Sequence, residues 1–443
     1  MHIGLGAFHR AHQAWYTARA GDGADWGIAA FSGRSTAAAD ALIPQDGVFT
    51  LVERGADGDR LAPIGSIVEA QPSSNALRRA TLLAAPRTAV VTLTVTEAGY
   101  TLRPDGSLDT AAPAVTADLA RVRRTAVDGD HAAEATQTVV GMLAAGLIER
   151  HRAGAGSIAI VPCDNFPSNG PLLRDAVTEF ITAIDPHLNQ WLVDHVSFVS
   201  TSVDRITPKV DDGLTREVER ALGWTDAAPV ATEPFADWTL SGEFPAGRPQ
   251  WERSGAAFVE DIDAYESRKL WMLNGAHSLL AYLGRLRGHT TVAAAMGDPF
   301  VRYSIEAWWD EAARHLPAGM DVDAYRRALT ARFENQRIEH LLAQISTDGL
   351  TKLSVRIAPV AVLERRAGRG AQASALVFAA WITALRSGLP MADARRAEVD
   401  AALADSDPTL ALLAAVSADL AADPGFSAEV VSDVCALASV RTP

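Results

Sequence analysis

The chain reads as an α/β protein with a helical second half: an N-terminal Rossmann-like parallel-sheet domain followed by a mostly α-helical C-terminal domain. Three observations predict this. Short β-branched runs alternate with helical stretches through roughly the first 255 residues, the pattern of parallel strands joined by crossover helices. A glycine pair follows the first of those runs. Beyond the Pro- and Gly-bearing stretch EFPAGRPQWERSG at 243–255, long Ala/Leu-rich segments take over, with the 3.6-residue period of helices. A chain of 443 residues exceeds what one core organises. The expected division is therefore an α/β domain over 1–258 and a helical domain over 259–443.

The candidate strands are the opening MHIG, WGIAAF at 26–31, FTLVER at 49–54, AVVTLTV at 89–95, SIAIVPC at 157–163 and VSFVSTSV at 196–203. Their continuous apolarity suits a sheet covered on both faces. The Ala-rich tail from 394 to 440 keeps its leucines and valines at helical spacing and is expected to form packed helices. No apolar run approaches the ~20 residues of a membrane span. The start, MHIGLGAFHRAHQAWY, lacks the basic end, apolar stretch and cleavage site of a signal peptide, so the expected location is cytoplasmic. A formal charge of −14 works against nucleic-acid binding, which needs a basic footprint. Cys163 and Cys435 are the only cysteines; they suggest two buried thiols rather than a disulfide framework or a zinc site. The apolar helical faces fit internal packing and a second copy equally, so oligomeric state stays open.

Gly4 and Gly6 would permit a tight turn and let backbone N–H groups approach a pyrophosphate at a helix start. The third glycine of a G-x-G-x-x-G fingerprint falls at His9, which makes this signal weak by itself. The run before Gly4 is shorter than the ~5 residues of an ordinary strand, as expected if the natural start lies upstream of Met1. After the second strand a carboxylate is expected for the adenosine ribose, yet the sequence there is Ser32-Gly33-Arg34-Ser35. Arg34 and the serines suit a 2′-phosphate, and NAD and NADP both remain open.

The segment YESRKLWMLNGAHSLLAYLG at 265–284 predicts a helix carrying Glu266, Lys269, Asn274 and His277. At ~100° per residue these fall within an arc of about 140°. Removing hydride from a secondary alcohol needs a base for the hydroxyl proton and donors for the developing oxyanion. One helix face offers both, provided burial or neighbouring positive charge lowers the lysine pKa. The bland alternative is an i,i+3 surface pair, a solvated amide and a core histidine; four polar groups interrupting one apolar face weigh against it. Tyr265-x-x-x-Lys269 also matches the pair of short-chain dehydrogenases, whose glycine turn is different. A nucleotide-binding sensor without catalysis is the alternative of another class, and it would need no proton acceptor beside two oxyanion donors.

The blocks GLGAFHRAH at 4–12, QDGVFTLVER at 45–54, TVTEAGY at 94–100, CDNFPSNG at 163–170, SVDRITP at 202–208, EPFADW at 233–238 and K-x4-N-x2-H at 269–277 together resemble the mannitol dehydrogenase family of long-chain polyol and hexuronate dehydrogenases. The resemblance implies a metal-independent enzyme using NAD or NADP, with NAD preferred, and a small-molecule sugar acid or polyol as substrate. Lys269 would be the general base for alcohol oxidation and the acid for ketone reduction. Asn165 and Asn274 would hold the reacting oxygen, Glu266 would pass the proton to solvent, and His277 and Asp204 would contact substrate hydroxyls. Asn165 and Asp204 are each expected just beyond the C-terminal end of a parallel strand, where open α/β sheets bind ligands. The cofactor candidates are Gly4, Gly6, Phe8, Arg34 and Glu97.

Substrate choice turns on IEHLLAQISTDGLTKLSVR at 338–356. Mannitol-acting members carry an arginine eight residues before the lysine that corresponds to Lys352; here that residue is Gln344, which is more similar to the fructuronate-reducing members. Lys352 and Arg356, four apart on a helix, would share a face able to hold a carboxylate. The expectation is D-mannonate/D-fructuronate, with mannitol/fructose or arabinitol/xylulose as the alternative.

Overall fold

The structure is a computed structural model that describes residues 1–33, 35–128, 136–209 and 212–439. The chain divides into two compact units, Met1–Asp263 and Ala264–Pro443. The described strands, all in the first unit, are β1 (His2–Leu5), β2 (Ile28–Ser32), β3 (Phe49–Gly55), β4 (Gly58–Ile64), β5 (Ile67–Gln71), β6 (Val90–Leu93), β7 (Ile158–Pro162), β8 (Val196–Phe198), β9 (Ser200–Asp204), β10 (Val230–Thr232), β11 (Asp237–Ser241) and β12 (Ala257–Phe258).

Six of them form a parallel sheet in the order β5-β2-β1-β6-β7-β8. This is the doubly wound order, whose direction reverses between β1 and β6. Alternate residues feed opposite cores, as a period of two requires. Val91, Leu93, Ile158 and Ile160 enter one buried cluster with the helices Val139–Arg152 and Asn169–Thr182, while Val90, Ala159 and Val161 enter another with Tyr16, Trp238 and Trp251.

Two strand expectations need correction. FTLVER is not part of the parallel sheet: β3 turns back at Gly55–Gly58 into an antiparallel hairpin with β4 and takes β10 on its other side. The edge place beyond β2 belongs to β5, whose sequence IVEAQ buries only Ile67 and Ala70 and lacks the continuous apolarity of a central strand. VSFVSTSV is two strands. β8 closes the parallel sheet beside β7, and β9 leaves it to pair antiparallel with β11.

The first helical stretch contains a π-turn, Arg10–Ala14. Such turns need help from outside the helix. Here Arg205 Nη1 donates to Ala11 O at 2.5 Å and Ser66 Oγ to Ala14 O at 2.7 Å. Arg205 also donates to Glu233 O and Glu53 Oε1, and it lies over the Trp15 ring.

The second unit is helical. Its helix Gln372–Arg386 is buried almost all round, as a central helix must be. The Glu311 carboxylate accepts N–H bonds from Ala373 (2.8 Å) and Ser374 (2.9 Å) at that helix's start. The Ala-rich tail forms Arg396–Leu403, Pro408–Val416, Ala418–Ala421 and Pro424–Ser439. Cys163 is buried but Cys435 is exposed, against the expectation of two buried thiols. Among the described residues no helix is long and apolar enough to cross a membrane.

A buried ionic hub makes a prediction. The Glu364 side chain is 1% exposed and accepts from Arg314, Arg369 and His315; these donors, outweighing its burial, hold its carboxyl down at about 2. Its folded pKa lies below the unfolded value of ~4.3, so the stabilisation is complete above that value and is lost as pH falls through about 2. Glu364→Gln is expected to cost roughly 3 kcal/mol at neutral pH. Denaturant unfolding across pH should show the gap between variant and parent narrowing only in acid; a gap constant with pH would contradict this account.

Candidate active site

The first unit carries a cleft of about 1420 Å³ at the C-terminal ends of β1, β2 and β6, at the reversal of strand order where such sheets bind ligands. Gly4 has φ +109°, and a Cβ there would sit 2.3 Å from Thr94 O, so only glycine fits. Gly6 differs: its φ of −144° is ordinary extended backbone, and a Cβ would lie 3.6 Å from Gly4 O. It lines the cleft without being required by strain. Phe8 is not in the lining; its ring stacks on His12 at 5.0 Å. Arg34 and the side chain of Glu97 lie outside the described residues, while Thr96, Ala98 and Gly99 on either side of Glu97 line the cleft.

Where a third glycine would allow close packing of helix on strand, His9 lies flat on His2 of β1, ring centroids 3.3 Å apart. Burial keeps both imidazoles neutral, pushing His2 down to about 3 and His9 well below its ordinary value. The far wall is built by Asp118, fully buried, which accepts from the N–H groups of Gln137 and Thr138 and from Thr138 Oγ1. Thr138 in turn caps helix Val139–Arg152. The charged side chains among the described lining residues are Arg10 and Arg121, with no carboxylate. A strain-requiring glycine cradle, backbone donors at a helix start and a lining without negative charge fit a pyrophosphate-bearing dinucleotide.

Asn165 stands just past the end of β7, on an exposed turn. The Asx-turn in this loop is made by its neighbour: Asp164 Oδ1 accepts from Phe166 N at 2.9 Å, and Tyr100 OH donates to Asp164 Oδ2. Buried Asn169 ties the loop to β9, donating to Thr201 O (3.0 Å) and accepting from Thr201 N (2.9 Å). Asp204 is a correction. It ends β9, which is antiparallel to β11, and so does not follow a strand of the parallel sheet. The reason is the change of sheet after Phe198.

In the second unit the lysine segment is not a regular α-helix. Asp263–Arg268 is α-helical, Lys269–Gly275 is a π-turn, Ala276–Leu279 is α-helical and Leu280–Gly284 is a second π-turn. The uniform rotation assumed from sequence therefore fails. In an α-helix residues five apart diverge widely, whereas the i→i+5 bond of a π-turn brings them onto nearly the same line; Lys269 and Asn274 are such a pair. Glu266 lies one turn before the lysine, and the Tyr265 ring is covered by Arg268.

His277 is 9% exposed, with Nε2 lacking a partner among the described residues. Burial, then His340, Arg332, Arg356 and Lys352, push its pKa well down, so it is neutral at pH 7. Lys352 and Arg356 both lie on helix Gly349–Arg356. Arg356 Nη1 donates to Asn274 O (3.2 Å) and Ser278 Oγ (3.4 Å), and its other donors have no protein partner among the described residues. Burial lowers its pKa, and the opposing influence among the described residues comes from Tyr282. Lys352 is turned back on its own loop, donating to Ile345 O (3.0 Å) and Thr347 Oγ1 (3.2 Å). Gln344, on the short helix Leu342–Ile345 before it, is exposed. Arg332 and His340, whose ring lies 5.0 Å from that of His277, also face this site without having been expected. Their signal in sequence is slight: His340 sits inside the stretch 338–356, and Arg332 is one arginine among several on its helix. Among the described residues no group of three or more His, Cys, Asp or Glu is placed to hold a metal ion.

A doubly wound sheet with its cradle at the strand-order reversal, followed by a helical unit that presents lysine, amide and imidazole from one stretch, defines a two-domain α/β oxidoreductase. The chain belongs to the mannitol dehydrogenase family: the Mannitol dehydrogenase Rossmann domain matches residues 1–253 and the Mannitol dehydrogenase C-terminal domain residues 261–438. It is 38% identical over 368 residues to Uncharacterized oxidoreductase YdfI of Escherichia coli (strain K12), covering 81% of this chain and 73% of that one. It is 35% identical over 393 residues to the D-mannonate oxidoreductase of the same organism, covering 86% and 79%. The solved Pseudomonas fluorescens mannitol 2-dehydrogenase, a ternary complex with NAD and D-mannitol, matches with a TM-score of 0.79 at 33% identity, covering 98% of this chain and 91% of that chain.

Proposed function

We propose that this dehydrogenase interconverts D-mannonate and D-fructuronate, with Lys269 as general acid/base and NAD as cofactor. The observation that carries the substrate assignment is Arg356: a half-buried guanidinium with no ion pair among the described residues, fixed through one nitrogen against Asn274 and Ser278 on the stretch that bears Lys269. A partly desolvated cation without a counterion is unfavourable, and a substrate carboxylate would offset that cost with charge-assisted bonds. Lys352 adds positive charge beside it, and Arg332, Arg356 and Lys352 all act on His277.

NAD is favoured by its presence in the related mannitol 2-dehydrogenase. Bound in the first unit, it would accept hydride during alcohol oxidation and return it during ketone reduction; Gly4, Gly6 and the turn around Glu97 would hold it. On this reading Lys269 takes the hydroxyl proton, Asn274 donates to the reacting oxygen, neutral His277 offers a ring nitrogen to a substrate hydroxyl, and Glu266 exchanges the proton with solvent. Asn165 and Asp204 keep the roles that membership of the family suggests, for the reacting oxygen and for a substrate hydroxyl respectively.

A polyol substrate is the second reading. It is favoured by the engagement of Lys352 with Ile345 and Thr347, which leaves one fewer cation for a carboxylate, and by the D-mannitol bound in the related structure. The test is to follow NADH and NADPH oxidation with D-fructuronate, D-tagaturonate, D-fructose and D-xylulose side by side. Fructuronate is expected to be reduced far faster than fructose, and NADH to be preferred. If fructose or xylulose is the better substrate, the sugar-acid assignment is wrong and the polyol reading replaces it.

A further inference from the structure

We infer that Trp308 and Trp309 are positioning residues for the reaction, holding open the π-turn that aligns Lys269 with Asn274. The inference rests on the proposed role of Lys269. Both tryptophans lie on helix Pro299–Ala313. Trp308 Nε1 donates to Trp271 O at 2.9 Å, and Trp309 Nε1 donates to Met272 O at 2.9 Å. Two successive carbonyls in the middle of Lys269–Gly275 thus receive outside donors from two successive indoles. The match is one to one.

This contact is built rather than incidental. Both indoles are buried, Trp308 fully and Trp309 to within 2%. Gly275 closes the turn, and a Cβ there would lie 2.5 Å from the Trp308 ring, so glycine is what lets the indole reach the backbone. Aliphatic side chains would fill the same volume as well, but they have no N–H. The first unit uses the same device, where Arg205 and Ser66 donate to carbonyls of the π-turn Arg10–Ala14. A π-turn is disfavoured in isolation and needs such donors. Without them the segment would tighten toward the α-helical bonding pattern. Asn274 would then rotate away from the line of Lys269, and the donor to the reacting oxygen would no longer stand over the base.

The test is Trp309→Phe together with Trp308→Phe, each of which keeps an aromatic ring and removes the N–H. Turnover is expected to fall roughly 10- to 100-fold, as for a misplaced catalytic group. KM for the dinucleotide should be unchanged, and the pH profile of kcat should be displaced, because the environment of the base has changed. A general loss of stability would not move that profile. If either phenylalanine variant unfolds, replacing the same tryptophan with its sulfur isostere, benzothienylalanine, retains the shape and removes only the donor. Folded variants with parental kcat and pH profile would overturn the inference. Lys269→Ala, run alongside, separates this outcome from failure of the underlying reading: if that variant remains active, the role of Lys269 itself is wrong.

Discussion

Lys269→Ala is expected to lower kcat by roughly 10³-fold in both directions while leaving dinucleotide affinity intact. A positioned acid/base supplies about 10² to 10⁴ in rate, and removing it should cost most of that range. Alanine is an excellent helix former, and the donors from Trp308 and Trp309 reach carbonyls that the substitution does not touch. The π-turn is therefore expected to survive. The cleft proposed for the dinucleotide is lined wholly by residues of the first unit, so its affinity, measured by titration, should not change. Added primary amines should restore part of the rate, in proportion to their basicity. Turnover close to that of the parent would remove Lys269 from the mechanism, and loss of dinucleotide binding would mean that the variant had damaged more than a proton acceptor.

Much of the first unit was legible because its signals are local. Continuous apolar runs such as SIAIVPC mark strands buried on both faces, and they form β1, β2, β6, β7 and β8. The edge strand β5 was not legible because only Ile67 and Ala70 of its five residues are buried. FTLVER misled for the opposite reason: it is apolar enough for a central strand, and only the turn at Gly55–Gly58 sends it into a hairpin. Arg205 could not be separated from Asp204 within the block SVDRITP. The structure assigns it to tying the first helix, β3 and the segment around Glu233 together.

The second unit shows where sequence periodicity stops. The residue types on 265–284 were readable, but their mutual orientation was not, since a π-turn leaves no mark in a pattern only a few residues long. Its carbonyls receive donors from tryptophans 37 residues further along the chain. Burial of Arg356 was equally invisible. Lys352 and Arg356 look equivalent as two cations on one helix turn, yet one amine is bound to its own loop while the guanidinium is held against Asn274 O. The pairing expected from their spacing thus becomes two unequal roles.

Arg356 consequently carries the second large prediction. Arg356→Met is expected to raise KM for D-fructuronate by roughly 10- to 100-fold, the loss of about 1.5–3 kcal/mol for hydrogen bonds to a charged group. Activity on D-fructose, which has no carboxylate, should change much less. Arg356→Lys should fall between, because an ammonium keeps the charge and loses the planar fork. The contrast between the two substrates matters because Arg356 also donates to Asn274 O and Ser278 Oγ. A purely structural role at those contacts would depress both substrates together, mainly through kcat. A carboxylate-binding role would appear in the fructuronate KM and in the ratio of the two substrates. Equal losses would therefore assign Arg356 to the scaffold of the Asn274 segment, and with that the argument for a sugar acid over a polyol would lose its physical basis.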